Sequence, residues 1–430
     1  MNCSFRREQH AQLGNTKSGS SIAGMRRKRQ AYKGGKFMWK DGMNYKFETG
    51  TSEQVKKDFA NAAKAWSQDT CVDIRLNSSG KWNEGLHVTA LYDACASDVG
   101  KVGGWQYLYL GRYCEGFGGI AHELGHALGL VHTMSRSDRD DYILVDLINM
   151  KPEYAEEFKK HSPVRSYGIG YEYGSIMHYG QRSVFLPQAY LIIPFDSKYK
   201  NTLGSQMISF ADLTLINRHY KCTEKCDSKS SAVCKNRGYP HPRDCSRCLC
   251  PSGYGGKDCS ERPSDGCGHE LEASKTWQNV SITIRNDDPK QYLDGYKKCI
   301  YWIKSPEGTR MKIRLETIRF QSTAGCSNDG IEIKAKKDIT LTGYRFCYEE
   351  DEDLVLSPRF STAPVIVYSR VNITSTAIIS YRYVLYLKHS SAATQIRVKC
   401  GFGSRCHRLP VYMKTISGYS QQKERNDVKR

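Results

Sequence analysis

The sequence predicts a multidomain protein in which a mixed α and β domain precedes a small disulfide-rich module and an antiparallel β-sandwich. Apolar residues recur at helical spacing between Gln54 and Ser67, inside a region of alternating helical and strand-like patterns. Six cysteines then fall within residues 226–259, among Gly and Pro turns. After Cys267, short alternating apolar runs separated by turn residues indicate β-strands. A chain of 430 residues has room for about three such domains.

The individual elements follow from the same patterns. The predicted first helix places five apolar residues on one face: Val55, Phe59, Ala62, Ala63 and Trp66. The clearest later strands are predicted at Met311–Glu316, Gly330–Ala335, Val365–Tyr368 and Ala377–Leu387. The tail from Ser391 is polar and basic, so we expect a disordered end in which Cys400 and Cys406 close a small loop.

The 17 cysteines predict a secreted, disulfide-bonded protein, because a reducing compartment would leave so many thiols free or bound to metal. Glycosylation sequons begin at Asn77, Asn279 and Asn372 and agree with an extracellular location. No stretch is long enough to span a membrane. The first ten residues lack the apolar run of a signal peptide, so we expect the true start to lie upstream, with Cys3 as the odd cysteine.

The net charge of +19 does not predict nucleic-acid binding, because Lys and Arg are scattered and no aromatic and basic binding motif accompanies them. One basic run stands out, at Arg26–Arg29 in a Ser- and Gly-rich context just before the first domain. We expect a processing protease of the furin type to cut after Arg29, which makes residues 1–29 a pro-segment and Gln30 the new N-terminus.

The segment from His122 to His132 reads HELGHALGLVH and predicts a zinc site. His122 and His126 lie one turn apart on a helix and can share one ion. Glu123 follows the first ligand and is placed to act as the general base toward a water molecule. Gly129 lets the chain leave the helix with a positive φ, so that His132 can return as the third ligand.

Downstream, Ser175–Tyr179 reads SIMHY and predicts the methionine turn that lies beneath such zinc sites, with Met177 as its apolar floor. From spacing alone, Tyr179 is as compatible with a core position as with a functional one.

Besides hydrolysis of peptides at the predicted zinc site, two rival functions remain open at this point. One is an adhesion protein with an inert protease domain, which the intact Glu123 argues against. The other is a zinc hydrolase for substrates other than peptides, which the methionine turn disfavours.

Together with SRSDRD at Ser135–Asp140 and GGWQYLYLG at Gly103–Gly111, these motifs make the region resemble the astacin family of metzincin endopeptidases. The resemblance covers roughly residues 37–222. It implies an α+β, two-lobed fold with a deep cleft, one zinc ion and protein substrates. It also implies that Tyr179 binds the resting metal and then donates a hydrogen bond to the oxyanion of the tetrahedral intermediate.

By position, the resemblance also implies two disulfides in this domain, Cys71 with Cys222 and Cys95 with Cys114. The six cysteines of the second region resemble an EGF-like module, with Cys250 pairing with Cys259. The third region resembles a CUB domain, which implies the pairs Cys267 with Cys299 and Cys326 with Cys347. The resulting order is a peptidase domain at 30–222, the EGF-like module at 223–260, the CUB domain at 267–388 and a tail at 389–430.

The EGF-like and CUB resemblances imply that these modules bring the enzyme to extracellular matrix or other protein substrates. Asp329 lies where a CUB calcium ligand could stand, but an ordinary turn aspartate is the favoured interpretation.

Three positions depart from the astacin pattern. Thr133 replaces the usual Glu after the third histidine, which contacts the buried mature N-terminus in the family. Residues 1–29 lack the motif whose Asp blocks the zinc in the latent enzyme. The segment Leu203–Ser209 lacks the basic residue that often selects acidic side chains after the scissile bond, so we do not expect that preference.

Overall fold

The computed structural model of the chain describes residues 37–112, 114, 116–148, 155–161, 166–182, 190–227 and 229–385. The expected processing site at Arg29 and the expected loop between Cys400 and Cys406 lie outside the described residues. Within the described part, no helix combines the length and the apolar character needed to cross a membrane.

The first lobe is a five-stranded sheet in the order β2-β1-β3-β5-β4, in which only β4 runs antiparallel to its neighbour. Parallel strands need both faces covered, and the inward residues Leu86, Val88, Leu108 and Leu110 are fully buried. The strands are β1 (Met43–Phe47), β2 (Ile74–Leu76), β3 (Gly85–Thr89), β4 (Cys95–Ser97) and β5 (Trp105–Leu110).

Two helices pack in this lobe, α1 (Glu53–Gln68) and α2 (Phe117–Ala127). The Ser52 side chain caps α1 by accepting a hydrogen bond from the backbone N–H of Val55. The five apolar residues predicted to share one face of α1 are its five buried residues. Among them, Trp66 donates its indole N–H to the carbonyl of Ala121 at 3.0 Å, which joins α1 to α2.

The second lobe contains little regular structure. It holds the antiparallel pair β6 (Ile143–Val145) and β7 (Ile192–Pro194), followed by α3 (Phe210–His219). Ser209 and Asp212 form a reciprocal capping box that starts α3. Cys71 and Cys222 form a disulfide that ties the end of this lobe to the first one, and Cys95 and Cys114 form a second.

A small module follows, built on the hairpin of β8 (Tyr239–His241) and β9 (Asp244–Leu249). Its apolar content is small, and three disulfides supply the cross-links. The pairs are Cys226 with Cys245, Cys234 with Cys248 and Cys250 with Cys259.

The last described domain is a sandwich of two sheets, with orders β10-β12-β17-β14-β15 and β11-β18-β13-β16. Alternate residues of the long strands point into its core, among them Ile313, Leu315 and Ile379. Cys267 pairs with Cys299, and Cys326 pairs with Cys347. The strands are β10 (Glu270–Glu272), β11 (Gln278–Ile284), β12 (Lys297–Lys304), β13 (Thr309–Arg319), β14 (Asp329–Ile333), β15 (Tyr344–Phe346), β16 (Val355–Leu356), β17 (Thr362–Ser369) and β18 (Ser375–Leu385).

The structure shows the surroundings of the predicted glycosylation sites and of Asp329. Asn279 and Asn372 are exposed on the sandwich, whereas Asn77 is half-buried and donates its side-chain N–H to the carbonyl of Trp82. Asp329 is not in a turn, as favoured from the sequence, but begins β14, where its buried carboxylate accepts hydrogen bonds from the Gln321 N–H and the Ser375 hydroxyl.

Candidate metal centre

Helix α2 presents His122 and His126 on one face, with ring centroids 4.8 Å apart. The helix ends at Ala127, and Gly129 then adopts a φ of +106°, a value that favours glycine. The chain turns back at this point and brings His132 beside the other two rings, with centroids 5.2 Å from His122 and 4.6 Å from His126. The three histidines are buried together.

Their Nε2 atoms converge. The Nε2 of His132 lies 3.2 Å from that of His122 and 3.0 Å from that of His126. A tetrahedral zinc ion with Zn–N bonds of about 2.0–2.1 Å holds its ligand nitrogens about 3.3 Å apart. All three ligand atoms lie within 4.8 Å of one another. The cluster therefore fits a single zinc ion.

For His122 and His126, a hydrogen bond at the other ring nitrogen fixes the required tautomer. The Nδ1 of His122 donates to the Ile176 carbonyl at 2.7 Å, and the Nδ1 of His126 donates to the Leu130 carbonyl at 2.8 Å. Since a carbonyl can only accept, the proton is on Nδ1 and the Nε2 lone pair faces the cluster. Burial lowers the pKa of His122 to about 4, which keeps this ring neutral at physiological pH.

Two further groups adjoin the histidines. Glu123 follows His122 in α2, and its side chain is fully buried. The ring of Tyr179 lies against His132 with centroids 4.4 Å apart and against His122 at 6.2 Å. Phe158 packs edge-on against Tyr179 at 6.0 Å. An aromatic ring thus packs against the histidine cluster, and a buried acid follows its first histidine in the helix.

The segment from Ser175 to Tyr179 passes beneath the cluster. The backbone N–H of Thr133, the residue after the third histidine, donates to the Met177 carbonyl at 3.1 Å. The sulfur of Met177 lies 2.5 Å from the position that a Cβ on Gly125 would take. Met177 is therefore in contact with the backbone of α2 between His122 and His126.

Asp212 of α3 holds this segment in place. Its buried carboxylate accepts a hydrogen bond from the Ser175 hydroxyl at 2.5 Å and one from the Ile176 N–H at 2.9 Å. It also accepts from the N–H and hydroxyl of Ser209, as part of the capping box. One carboxylate therefore couples the start of α3 to Ile176, whose carbonyl orients His122.

His178 uses both ring nitrogens in hydrogen bonds to groups other than the metal ligands. Its Nδ1 donates to the Tyr179 carbonyl at 2.7 Å, so its Nε2 accepts from the Tyr171 hydroxyl at 2.9 Å. Burial lowers the pKa of His178 to about 4, so the ring is neutral in this role. The histidine of the SIMHY motif supports the backbone at Tyr179.

Comparisons with known proteins agree with this arrangement. The peptidase family described as astacin matches residues 32–221. Zinc metalloproteinase nas-26 of Caenorhabditis elegans is 34% identical over 304 residues, which cover 68% of this chain and 70% of that protein. The chain belongs to the astacin family.

Another relative, zinc metalloproteinase nas-31 of C. elegans, is 39% identical to this astacin over 366 residues, 84% of the chain. The chain spans 59% of the length of nas-31, and also 59% of nas-32. Among solved structures, high choriolytic enzyme 1, a hatching enzyme zinc-protease of the medaka fish Oryzias latipes, is 28% identical with a TM-score of 0.39, over 47% of this chain and 98% of that one.

Thr133, where this astacin departs from the family pattern, lines a cavity of about 530 Å³. Two buried carboxylates, of Glu172 and Asp212, line the same cavity, as does Arg136. Arg136 forms a two-pronged ion pair with Asp138, with both N···O distances 2.8 Å. Residue 133 is thus uncharged, while Glu172, Asp212 and Arg136 are ionisable groups elsewhere on the cavity wall.

Gln206 lies in the segment that lacks a basic residue. It lines a small cleft together with His122, Tyr179 and Gly180. Its side-chain oxygen would overlap a Cβ on Gly118, so residue 118 has to be a glycine for Gln206 to lie there. A neutral amide therefore adjoins the metal cluster on this side.

Sequence reasoning missed the two supporting carboxylates. For Asp212 a signal existed, because Ser209 and Asp212 are spaced as a capping box at the start of a helix. That signal predicts the helix start but not the contact with Ser175. For Glu172, which lies just before the SIMHY motif, the chain offers no local pattern that indicates its partner at Thr342.

Proposed function

We propose that this protein is a secreted zinc endopeptidase that hydrolyses peptide bonds of extracellular proteins, and that its EGF-like module and CUB domain bring it to matrix or other protein substrates. The main support is that the Nε2 atom of His132 lies 3.0–3.2 Å from the Nε2 atoms of His122 and His126. Glu123 lies on the same helix as the latter two histidines. Seven disulfides among the described residues agree with an extracellular location.

His122, His126 and His132 would hold one zinc ion. Such an ion supplies a Lewis-acid charge that polarises the scissile carbonyl and makes water acidic, with a pKa near about 7. Three protein ligands leave room for the substrate. The chain contributes the ligand geometry, the imidazole nitrogens and a buried environment in which charges interact strongly.

Glu123 is the proposed general base. Its position next to His122 lets a carboxylate oxygen take a proton from the attacking water and then pass it to the leaving amine nitrogen. The peptide bond breaks between the carbonyl carbon and that nitrogen, and the water oxygen remains on the new carboxyl group. No covalent enzyme intermediate is needed.

Tyr179 is the proposed oxyanion donor. Its ring centroid lies 4.4 Å from that of His132, which supports a place for its hydroxyl beside the metal cluster. As negative charge develops on the former carbonyl oxygen, a phenol O–H donates to it and stabilises the transition state. In the resting enzyme the same oxygen would serve as a further metal ligand.

A furin-type cleavage after Arg29 would start the mature chain at Gln30. Because Thr133 is uncharged, we do not propose for this protein the ionic contact between the new N-terminus and residue 133. The glycosylation sites at Asn279 and Asn372 are exposed, which suits modification during secretion.

The test compares the chain starting at Gln30 with its Glu123→Ala variant on a denatured protein substrate, with and without a zinc chelator. Cleavage should require both zinc and Glu123, and the variant should lose roughly 100-fold or more of the rate. Stoichiometric zinc without cleavage by either form would favour an adhesion protein with an inert protease domain. Cleavage that survives in the variant would rule out the proposed mechanism.

A further inference from the structure

The segment that leads into the methionine turn is in direct contact with a loop of the sandwich domain. The fully buried carboxylate of Glu172 accepts a hydrogen bond from the Gly174 N–H of its own segment at 2.8 Å. It also accepts one from the backbone N–H of Thr342 in the sandwich, at 3.0 Å and 3.2 Å to its two oxygens. Glu172 and Thr342 are thus hydrogen-bonded although they lie 170 positions apart in the sequence.

At this contact the backbone of Gly174 lies too close to the side chain of Thr342 to carry a side chain of its own. A Cβ on Gly174 would be 2.5 Å from both Cβ and Cγ2 of Thr342. Earlier in the same segment, a Cβ on Gly170 would be 3.1 Å from Cδ1 of Leu341. Gly174 is not among the residues of positive φ, so its glycine is required by this close approach and not by backbone conformation.

The contact leads to a metal ligand within a few residues. Two positions after Gly174, the Ile176 carbonyl accepts the Nδ1 proton of His122 at 2.7 Å. The next residue, Met177, lies under Gly125. A displacement of the backbone at Gly174 would therefore change both the orientation of the first ligand and the packing below the helix.

The surrounding interface is built from buried and specific contacts, as expected of a permanent junction. Arg345 of the sandwich is buried, forms an ion pair with Glu332 at 3.0 Å and donates to the Ser205 hydroxyl of the protease domain at 2.9 Å. The Tyr199 ring lies between those of Tyr173 and Tyr344, with centroids 4.0 Å and 4.5 Å away. Residues of both domains share one apolar core.

We infer that the sandwich loop at residues 338–343 is a positioning element of the metal centre, which acts through Glu172 and Gly174 on the turn that orients His122. The sandwich is then a part of the catalytic unit in addition to any role in substrate recruitment. The inference about zinc affinity stands on the contacts alone, and only its consequence for turnover rests on the proposed function.

The test is a double-mutant cycle in the full 430-residue chain. Gly174→Ala places a methyl group against Thr342. Thr342→Gly removes the atoms that this methyl would meet but keeps the backbone N–H that Glu172 accepts. Lys200→Ala is the matched control, because Lys200 pairs with Glu350 and Asp351 across the same interface without a contact to the turn among its described ion pairs.

Zinc affinity is measured by competition with a chelator, and the thermal unfolding midpoint is measured in parallel. Gly174→Ala should weaken zinc binding about 10-fold or more, the size expected for outer contacts of a metal ligand. Thr342→Gly and Lys200→Ala should stay within about 3-fold of the parent chain, and the double variant should recover most of the loss. Where cleavage is detected, Gly174→Ala should lower kcat with little change in KM.

Wild-type zinc affinity in Gly174→Ala would overturn the inference, as would an equal loss in the double variant. If Gly174→Ala does not fold, Glu172→Gln serves instead, since it keeps the side-chain volume and replaces the oxygen that accepts from Thr342 alone by a donor that faces the Thr342 N–H. It should weaken zinc binding in the same direction, and unchanged binding would overturn the inference. A parent chain that binds zinc but cleaves nothing would count against the proposed function only.

Discussion

Gly125 and Met177 are in contact across the floor of the metal cluster: the methionine sulfur lies 2.5 Å from where a Cβ on residue 125 would stand. Gly125 occupies the fourth position of the HELGH motif, between the two helical ligands. The ring of Trp66 lies on the same side, 3.5 Å from that Cβ position. The floor of the site is therefore formed by the contact of a glycine with a methionine that lies 52 residues later in the sequence.

We expect Gly125→Ala to destabilise the protein and weaken zinc binding. The added methyl group overlaps Met177, and overpacking of this kind costs roughly 1–3 kcal/mol in the free energy of unfolding. Urea unfolding and chelator competition measure the two effects. Gly116→Ala is the matched control at the start of the same helix, because its φ is −84° and no atom lies within 4 Å of its Cβ position. Equal effects of the two substitutions would contradict this account.

Asp212→Asn should destabilise the second lobe. The buried carboxylate accepts hydrogen bonds from Ser175, Ile176 and Ser209, and an amide can accept at only one oxygen. The loss of charge-assisted bonds with a donor left unsatisfied should lower the free energy of unfolding by roughly 2–3 kcal/mol. Zinc affinity should fall as well, because Ile176 orients His122.

Asp58→Asn offers the comparison for that measurement. Asp58 is on the outer face of α1, where it accepts an exposed hydrogen bond from Gln54. Its loss should change the free energy of unfolding by no more than about 0.5 kcal/mol. An Asp212 variant as stable as this control would show that the carboxylate is not needed to hold the turn.

Where residue periodicity and spacing are the only guide, the sequence predicts local features of this molecule. The i, i+4 spacing of His122 and His126 with Gly129 after the helix predicts the metal cluster, because helix geometry alone brings the two rings to one face. The apolar face of α1 follows from the same periodicity. In each case the partners lie within a few turns of one another.

Two contacts between distant segments were beyond sequence reasoning, whereas the pairing of Cys71 with Cys222 was implied by the family resemblance and is present. Nothing around Gly174 shows that its backbone meets Thr342, since the need for glycine arises from a domain packed against it and not from a turn. The prediction for Asp329 fails for a similar reason, because its hydrogen-bond partner is also distant in the sequence. The sequence favours an ordinary turn aspartate, yet the residue begins β14 and accepts a hydrogen bond from Ser375, which begins β18 in the other sheet.

The stability of the junction between the two domains should depend on pH through Glu172. Burial, followed by the nearby Asp212, raises the pKa of this carboxyl from 4.5 to about 7, and the Thr342 and Gly174 N–H groups and Lys334 oppose the rise. The folded state therefore binds more protons than the unfolded state between these two values. The free energy of unfolding should fall as pH rises from about 4.5 to about 7.

Glu172→Gln isolates this effect because it removes the titrating group and keeps the volume. The difference in the free energy of unfolding, variant minus parent, should increase as the pH is raised from about 4.5 to about 7.5. Urea unfolding at four or five pH values measures it, and subtraction cancels most of the contribution of groups common to both proteins. A difference that stays constant over this range would show that Glu172 is already ionised in the folded protein at the acidic end of the series.

Cleavage specificity should respond to residue 206. Gln206 lines the cleft that also contains His122 and Tyr179, so under the proposed function its side chain would meet a substrate residue next to the scissile bond. A neutral amide offers no particular attraction to Asp or Glu, and we expect no preference for acidic residues after the cleaved bond in the parent chain. The substitution Gln206→Arg would offer a charge-assisted, two-pronged partner to a carboxylate.

Gln206→Arg should therefore raise the share of Asp and Glu after the scissile bond in the cleavage products of a peptide library, by about 10-fold, which corresponds to a charge-assisted hydrogen bond of about 1.5 kcal/mol. The gain should shrink as salt is added, because the attraction is electrostatic. Gln206→Met is the control for size without charge and should leave the acidic share unchanged. If the arginine variant shows the same share of Asp and Glu after the scissile bond as the parent chain, residue 206 does not face the bound substrate. The cleft beside His122 is then not the site that binds the side chain after the cleaved bond.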